Sequence, residues 1–352
     1  MLESLTQQLA GGQPLAAAQV QSAVEALLAE SVPATAKAAF LSALAKKGET
    51  PAEITAFALA LGEKSVRPPI DAAWRESREL LDIVGTGGDR LGTFNISTTA
   101  ALLCAAAGVA VAKHGNRAVT SKSGSADVLE ALGIPIDLPA DAAARALREK
   151  NFAFFFAPNF HPAFRHIAPA RKLCAEQGQR TIFNFLGPLL NPAQPSAMLV
   201  GASRPELCDT LARVLQSLGV RRAMVVTGTV PVEGQTRTMD ELSTLGGNTV
   251  AEFYHARGFT GSEFTTAFLP LQPATLHDLL GGNQWENAET TRRILGGQER
   301  GPKRDAVLLN AGAALFVAGK TKSLAEGWEL AGATIDTGAA AAKLAELAVR
   351  PA

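Results

Sequence analysis

Apolar side chains recur at helical spacing through the first 60 or so residues, with little of the alternation that is typical of strands. One helical face carries Val20, Val24, Leu27 and Leu28. Pro33 is placed to begin a second helix, and Thr50-Pro51 is typical of an N-cap followed by proline at the first helical position. The pattern predicts a small helical domain over residues 1–66, which serves packing or dimerisation.

Beyond the prolines at 68 and 69, short apolar runs alternate with segments of helical spacing. Strand-like runs occupy residues 80–84, 109–112, 152–157, 198–200 and 223–226, and helical segments occupy residues 97–107, 126–132, 141–150, 206–218, 306–319, 323–332 and 337–349. This alternation predicts an α/β domain with a largely parallel central sheet, over residues 74–162 and 191–352. Residues rich in Pro, Asn and Gly interrupt the alternation, and we expect 163–190 to join the helical domain in space.

Composition and charge exclude several classes of protein. Hydrophobic residues make up 47% and charged residues 19%, and the 33 basic residues balance 33 acidic ones, so no net charge favours nucleic acid or anionic membranes. Cys104, Cys174 and Cys208 form no CxxC pair, which argues against a zinc ribbon or a disulfide framework. The N-terminus lacks a secretory signal pattern, and the longest apolar run, residues 100–112, is too short to span a bilayer. We expect a cytoplasmic protein that binds neither nucleic acid nor membranes.

Two polar loops each follow a predicted strand and open a predicted helix. The first reads Gly85-Thr86-Gly87-Gly88-Asp89 and then Asn95-Ile96-Ser97-Thr98, and the second reads Lys113-His114-Gly115-Asn116-Arg117 and then Ser123-Gly124-Ser125-Ala126-Asp127. Glycine turns and helix N-termini present backbone N–H groups to anions, although the spacing matches neither the dinucleotide fingerprint nor the P-loop. A tight turn and a plain N-cap are the alternatives. Two such loops at one sheet edge predict a ligand with phosphate at both ends.

The order of these motifs resembles the anthranilate phosphoribosyltransferase family. Further matching segments are His161-Pro162, Arg180-Thr181-Ile182-Phe183-Asn184, Leu186-Gly187-Pro188-Leu189, Asn191-Pro192 and Asn310-Ala311-Gly312-Ala313-Ala314. The resemblance covers most of the chain and implies the nucleoside phosphorylase/phosphoribosyltransferase fold class with a helical dimerisation domain, in a homodimer. It also implies transfer of the phosphoribosyl group from phosphoribosyl pyrophosphate to the amine of anthranilate, with Mg²⁺, releasing pyrophosphate in tryptophan biosynthesis.

The same resemblance assigns site residues one by one. The donor would be bound by Gly85, Gly88, Asp89, Thr93, Asn95, Ile96, Ser97, Thr98, Lys113, Asn116, Arg117, Ala118, Val119, Thr120, Ser121 and Ser125. The acceptor would be bound by Gly85, His114, Asn116, Arg171, Gly187 and Pro188. Mg²⁺ would be bound by Ser97, Asp240 and Glu241. Arg117 could instead brace its loop, and His161 could be a loop anchor or a recognition residue. No covalent nucleophile is expected, because charge neutralisation and alignment suffice for this transfer.

The segment before Asp240 departs from the family pattern, in which a short loop with His-Gly, Asp-Gly and Leu precedes Asp-Glu. Here residues 226–239 are several residues longer, lack the histidine and place Thr238 where Gly is usual. We expect this departure to affect the metal site more than donor binding. Two alternative functions remain: a related transferase or pyrimidine nucleoside phosphorylase-like enzyme with another acceptor, and a non-catalytic nucleic-acid-binding or scaffold protein, which the zero net charge disfavours.

Overall fold

The computed structural model of the protein describes residues 1–118, 122–255 and 258–349. The N-terminal helical domain and the linker contain α1 (Leu2–Ala10), α2 (Ala17–Leu28), α3 (Ala34–Lys47), α4 (Pro51–Glu63) and α5 (Ala72–Glu76). At the start of α4, the Thr50 hydroxyl accepts a hydrogen bond from Glu53 N, and the Glu53 carboxylate accepts one from Thr50 N. This reciprocal capping satisfies two backbone donors and confirms the helix start that the sequence predicts.

The α/β domain is built on one eight-stranded sheet. Its strands are β1 (Leu80–Gly85), β2 (Ala110–Gly115), β3 (Phe152–Phe156), β4 (Ala197–Gly201), β5 (Arg222–Val232), β6 (Gln235–Met239), β7 (Asn248–Tyr254) and β8 (Thr260–Phe264). The order is β3-β2-β1-β4-β5-β7-β8, and β6 pairs with β5. Strands β1 to β5 are parallel, whereas β6, β7 and β8 are joined antiparallel. The largely parallel sheet is confirmed, but our sequence prediction missed the three antiparallel strands, because no helix separates them.

Helices cover both faces of this sheet. They are α6 (Ile96–Ala106), α7 (Ser125–Ala131), α8 (Ala140–Lys150), α9 (Ala157–Phe160), α10 (Ala168–Glu176), α11 (Glu206–Ser217), α12 (Leu276–Leu279), α13 (Gln284–Leu295), α14 (Pro302–Val317), α15 (Leu324–Asp336) and α16 (Ala339–Leu347). Alternate side chains of β4 point to opposite faces. Leu199 packs in a core with α6 and α14, and Val200 packs in a second core with α11 and the helical domain. The helical domain is therefore bound to one face of the sheet.

The segment that interrupts the alternation runs along the helical domain. It contains α10 and 3₁₀ turns at Pro162–His166, Ile182–Asn184 and Gly187–Leu190. The buried Lys37 on α3 donates from Nζ to the carbonyl oxygens of Ala29 (2.8 Å) and His166 (2.9 Å). Burial lowers the pKa of Lys37. Because both acceptors are backbone carbonyls, this lysine ties the segment to the end of α2 without a carboxylate partner.

The close contact of α14 with α15 gives a test of the packing. A Cβ at Gly327 would lie 2.2 Å from the Gly312 carbonyl oxygen, whereas a Cβ at Gly332 on the same helix would meet nothing nearer than 3.8 Å. We expect Gly327→Ala to lower the free energy of unfolding by about 1–3 kcal/mol, because the helix backbones must separate. Gly332→Ala, the matched control, should raise it by up to about 1 kcal/mol through helix propensity. Urea denaturation measures both, and equal effects would contradict the assigned contact.

Candidate active site

The direction of the sheet changes between β1 and β4, since the chain continues from β1 towards β2 and from β4 towards β5. Open α/β sheets bind ligands beyond the carboxyl ends of strands at such a point. The last residues of the two strands, Gly85 and Gly201, are paired in register. A Cβ at Gly85 would lie 2.2 Å from Asp240 Oδ2, and one at Gly201 would lie 1.5 Å from the Asp240 carbonyl oxygen. Both glycines are therefore required to admit Asp240 at the switch point.

The acidic pair after β6 connects the strand ends to the first polar loop. Asp240 Oδ2 accepts a hydrogen bond from Gly87 N at 2.6 Å, and Glu241 Oε1 accepts one from Ser97 N at 2.9 Å. Burial, with the nearby negative charge of Asp89, raises the pKa of Asp240 to about 7. Burial also raises the pKa of Glu241, and the charges of Asp240 and Asp89 add to this shift. The hydrogen-bond donors of the site are thus too few to keep all of its carboxyl groups ionised at neutral pH.

These residues fit a bound divalent cation. A cation offsets the repulsion that raises the pKa values of the carboxyl groups, and carboxylate and hydroxyl oxygens are ligands that Mg²⁺ prefers. The Ser97–Glu241 hydrogen bond brings the predicted hydroxyl ligand next to the predicted acidic pair. In the described ranges, no group of three or more His, Cys, Asp and Glu side chains is arranged to hold a metal ion. Mg²⁺ in proteins commonly keeps water and substrate phosphate oxygens among its ligands.

The first polar loop is rich in left-handed backbone. Gly87 and Gly88 have φ values of 73° and 88°, and Arg90 has φ 58°. Asn95 lies at the N-cap position of α6 but makes no side-chain capping bond. Its Nδ2 instead donates to Ser123 O at 3.3 Å, and its Oδ1 accepts from Asn287 Nδ2 at 2.9 Å. The plain N-cap interpretation is therefore wrong for Asn95, whose side chain links the two polar loops.

Thr93, Ile96 and Thr98, which are also predicted to bind the phosphoribosyl donor, lie near this loop and are fixed by the rest of the fold. Thr93 forms a backbone bridge with Leu280. Ile96 and Thr98 are both buried, and Ile96 N donates to the carbonyl oxygen of Phe94 at 2.7 Å. Our sequence reasoning missed α13, which supplies Asn287, because its apolar stripe is short and its ends are polar.

Lys113 on β2 is buried below the site. Its Nζ donates to the carbonyl oxygen of Ile83 at 2.7 Å. Burial lowers the pKa of Lys113, and the charges of Asp82 and Glu241 partly offset this effect. Asp82, on β1, accepts a hydrogen bond from Asn191 Nδ2 at 2.8 Å. Sequence reasoning did not single out Asp82, although a lone carboxylate within the apolar run 80–84 is a recognisable signal.

The second polar loop is braced by ion pairs. The Arg117 guanidinium binds both oxygens of Glu130, at 2.8 and 2.9 Å, and Asp127 Oδ1 at 3.0 Å. Asp127 Oδ2 accepts hydrogen bonds from Ala118 N and Gly124 N, at 2.9 Å each. The geometry thus favours the bracing role for Arg117. The predicted donor residues Val119, Thr120 and Ser121 lie outside the described residues.

The Asn116 end of the second loop is closely packed. Ser125 Oγ donates to the Asn116 carbonyl oxygen at 3.3 Å, and Asn116 Oδ1 accepts from Arg117 N at 2.8 Å. A Cβ at Gly115 would lie 2.3 Å from Ser125 Oγ, so glycine is required where β2 ends. Lys113 and His114 lie within β2 and point to opposite faces of the sheet, and Asn116 is fixed directly after the strand ends.

Two buried imidazoles lie beside the predicted acceptor residues. The rings of His114 and His161 are 5.3 Å apart, and His161 Nε2 is 2.9 Å from the Leu190 carbonyl oxygen. Burial lowers the pKa of His114 to about 3 and that of His161 to about 4, so both rings are neutral at pH 7. His114 Nε2 and His161 Nδ1 have no hydrogen-bond partner in the described part of the chain. His161 therefore anchors the turn Gly187–Leu190 and keeps one nitrogen for another contact.

Arg171 lies on α10, in the segment that packs on the helical domain. The side chain is exposed, and its guanidinium carbon lies 5.5 Å from the centre of the Phe183 ring. It forms no ion pair with any residue that the structure describes. Stacking on an aromatic ring leaves the edge of a guanidinium open to a carboxylate. Gly187 is exposed and Pro188 is buried in the 3₁₀ turn.

Comparison with known proteins places this chain in a family. The sequence profile described as "Glycosyl transferase family, helical bundle domain" matches residues 3–65, and "Glycosyl transferase family, a/b domain" matches residues 77–341. The chain is 46% identical over 347 residues to the anthranilate phosphoribosyltransferase of Petrotoga mobilis, covering 99% of this chain and 96% of that protein.

The chain belongs to the anthranilate phosphoribosyltransferase family.

Two solved structures of the anthranilate phosphoribosyltransferase family agree with this fold. The crystal structure of the enzyme from Thermus thermophilus superposes with a TM-score of 0.86 at 43% identity, covering 98% of both chains. The enzyme from Saccharomyces cerevisiae, in complex with phosphoribosyl pyrophosphate and Mg, superposes with a TM-score of 0.85 at 26% identity, covering 99% of this chain and 96% of that one. The small helical domain and the larger α/β domain that the sequence predicts are confirmed.

The raised pKa of Asp240 gives a pH-dependent prediction. An acid whose pKa is about 7 in the folded protein and 3.8 in the unfolded chain favours the folded state when protonated, so stability is lost as pH rises from about 4 to about 7. Asp240→Asn removes the charge, and we expect it to raise Tm of metal-free protein by about 2–4 °C at pH 8. At pH 5 the change should be much smaller.

Differential scanning calorimetry with a chelator measures this difference. Glu263→Gln, on the exposed strand β8, is the matched control and should shift Tm equally at both pH values. A Tm of Asp240→Asn that is equal to or below wild type at pH 8 would show that the carboxylate is not repelled there.

Proposed function

We propose that this protein transfers the phosphoribosyl group of phosphoribosyl pyrophosphate to the amine of anthranilate, releasing pyrophosphate, in tryptophan biosynthesis. The observation that carries the proposal is the pair Asp240-Glu241, which accepts hydrogen bonds from Gly87 N and Ser97 N at the two ends of the first polar loop. Relatives named anthranilate phosphoribosyltransferase match nearly the whole chain, and the one from Saccharomyces cerevisiae has a structure with phosphoribosyl pyrophosphate and Mg.

The two polar loops supply the donor site in this proposal. We assign donor binding to Gly85, Gly88, Asp89, Thr93, Asn95, Ile96, Ser97, Thr98, Lys113, Asn116, Ala118 and Ser125. Breaking the C1′–O bond of the donor builds positive charge on the ribose and negative charge on the leaving pyrophosphate. Backbone N–H groups fixed in advance stabilise that negative charge without reorganisation. Mg²⁺, held by Ser97, Asp240 and Glu241, would supply further positive charge to the pyrophosphate.

The acceptor site lies where the second loop meets the segment from the helical domain. We assign the anthranilate carboxylate to Arg171, whose planar fork matches a carboxylate, and the ring to the wall formed by Gly187 and Pro188. The neutral His114 and the amide of Asn116 supply the remaining polar contacts, together with the backbone at Gly85. The amine nitrogen forms its bond to C1′ as the C1′–O bond breaks, so no protein nucleophile takes part.

We extend the proposal to the division of the chain into domains and to its assembly with a second copy. We divide the chain into a helical domain, residues 1–66 with 163–190, and an α/β domain, residues 74–162 with 191–352. The Lys37–His166 hydrogen bond supports this division. We further propose a cytoplasmic homodimer that contacts its partner through the helical domain. Every helix within the described ranges is too short or too polar to cross a membrane.

Loss of anthranilate fluorescence tests the activity directly. Purified protein should consume anthranilate only when phosphoribosyl pyrophosphate and Mg²⁺ are both present, and a chelator should stop the reaction, because the carboxyl groups at the switch point then repel the pyrophosphate. Released pyrophosphate, measured by a coupled enzyme, should equal the anthranilate consumed. Absence of turnover with anthranilate, together with release of pyrophosphate from the donor when another acceptor is supplied, would favour a paralogous transferase.

Replacing Arg171 tests the acceptor assignment. Arg171→Ala should raise KM for anthranilate about 30-fold, because a charge-assisted hydrogen bond to a carboxylate contributes about 2 kcal/mol. KM for phosphoribosyl pyrophosphate should change less than about threefold, since no donor contact is removed. Lys172→Ala, on the exposed neighbouring position of α10, should leave both constants unchanged. Equal increases in both KM values would show that Arg171 does not bind the acceptor carboxylate.

A further inference from the structure

The lengthened segment before Asp240 folds as a regular hairpin. Strands β5 and β6 pair antiparallel from Gly228–Met239 to Val232–Gln235. The two residues of the turn, Glu233 and Gly234, have φ values of 50° and 78°, which suit the tight turns that match the twist of a hairpin. The extra residues are therefore built into the edge of the sheet and end directly at Asp240.

Side chains of β6 reach both loops at the switch point. Arg237 Nη2 donates to the carbonyl oxygens of Asp89 (3.0 Å) and Arg90 (3.4 Å) in the first polar loop. Thr238 Oγ1 donates to the carbonyl oxygen of Ser203, just after β4, at 2.8 Å. Ser203 N in turn donates to Thr86 Oγ1 at 3.1 Å. The hairpin thus binds the chain after β1 and the chain after β4, on either side of the acidic pair.

The first polar loop has few other constraints at its centre. Three of its residues are glycines with positive φ, at positions 87, 88 and 92, which gives the unbound loop high conformational entropy. The backbone N–H groups of Gly88, Asp89 and Arg90 have no hydrogen-bond partner among the residues that the structure describes. Successive unpaired N–H groups beside glycines of positive φ form a concave anion-binding surface.

The orientation of these N–H groups is linked to Arg237 by the planarity of the peptide. A carbonyl and the N–H of the following residue point in opposite directions across one peptide plane. When the Asp89 carbonyl points to Arg237, the N–H of Arg90 must point away from it. A guanidinium bonded to two successive carbonyls therefore holds two peptide planes of the loop in one orientation. The first plane carries the free Arg90 N–H, and the second carries the Leu91 N–H, which donates to Asp89 Oδ1 at 3.2 Å.

We propose that Arg237 is a positioning residue for donor binding, which holds the first polar loop with its free N–H groups turned towards the phosphate groups of the donor. The proposal rests on the proposed function for the identity of the ligand. It does not require Arg237 to contact phosphoribosyl pyrophosphate. The hairpin that replaces the short loop of the family thus supplies a constraint on the loop that faces it.

Arg237→Met tests this role, because methionine keeps the length of the side chain and removes the donors. We expect KM for phosphoribosyl pyrophosphate to rise about tenfold, the factor that about 1.4 kcal/mol represents, with kcat and KM for anthranilate changed less than about twofold. Arg237→Lys keeps one donor group and should recover part of the loss. Gln235→Met, two residues away on the same face of β6 and exposed, is the matched control and should leave all constants unchanged.

Amide hydrogen exchange of residues 86–92 in the ligand-free protein gives the second measurement. Arg237→Met should accelerate exchange of the hydrogen-bonded amides of this segment, those of Thr86, Gly87 and Leu91, about tenfold, with exchange of the core strands and Tm equal to those of Gln235→Met. Unchanged exchange, or equal increases in both KM values, would overturn the proposal. If Arg237→Met lowers Tm globally, Arg237→Lys decides by the same two measurements. Inactivity of the wild type would refute the proposed function, whereas the exchange result would still test the role of Arg237 on the loop.

Discussion

Negative charge gathered at the ends of β1 and β4 is the constraint on which the rest of the site depends. Asp240 enters between Gly85 and Gly201, which must lack side chains, and Asp89 and Glu241 lie near it. Hydrogen bonds from backbone N–H groups and partial protonation of the carboxyl groups offset only part of this repulsion. In the proposed function, a cation and an anionic ligand bound together would complete the balance, which accounts for polar loops beside an acidic centre.

The supports of this centre come from parts of the chain that are far apart in sequence. Asn310 on α14 exchanges two hydrogen bonds with the backbone of Leu242, at 3.0 Å each, directly after the acidic pair. Asn287 on α13 holds Asn95, which in turn holds the second polar loop. These side-chain amides supply hydrogen bonds to irregular segments, which lack the partners that a neighbouring strand would provide. The Asn95 end of the first loop is consequently fixed relative to the second loop before a ligand arrives, which lowers the entropy cost of binding there.

The acceptor side is organised by a different principle. The donor loops are extensions of the sheet, whereas Arg171 belongs to a segment held against the helical domain by Lys37. The two neutral imidazoles lie where these parts meet. In the proposed function, donor and acceptor contacts come from two domains that share one apolar core, so a change in their packing would alter the distance between the reacting atoms.

The sequence by itself determined the local features: the parallel strands, the glycine loops and the helix starts, which depend on nearby residues and on runs of apolar side chains. It also placed Asp240 and Glu241 with the loops, through the order of motifs. Only the tertiary structure decided that β6, a polar strand without an apolar run, forms a hairpin whose Arg237 binds the first loop. It likewise decided that Lys113 turns inward and that Arg117 braces its loop. The partners of Arg237 and Lys113 are distant in the chain, and those of Arg117 lie on the next helix, so none of these contacts follows from a local pattern.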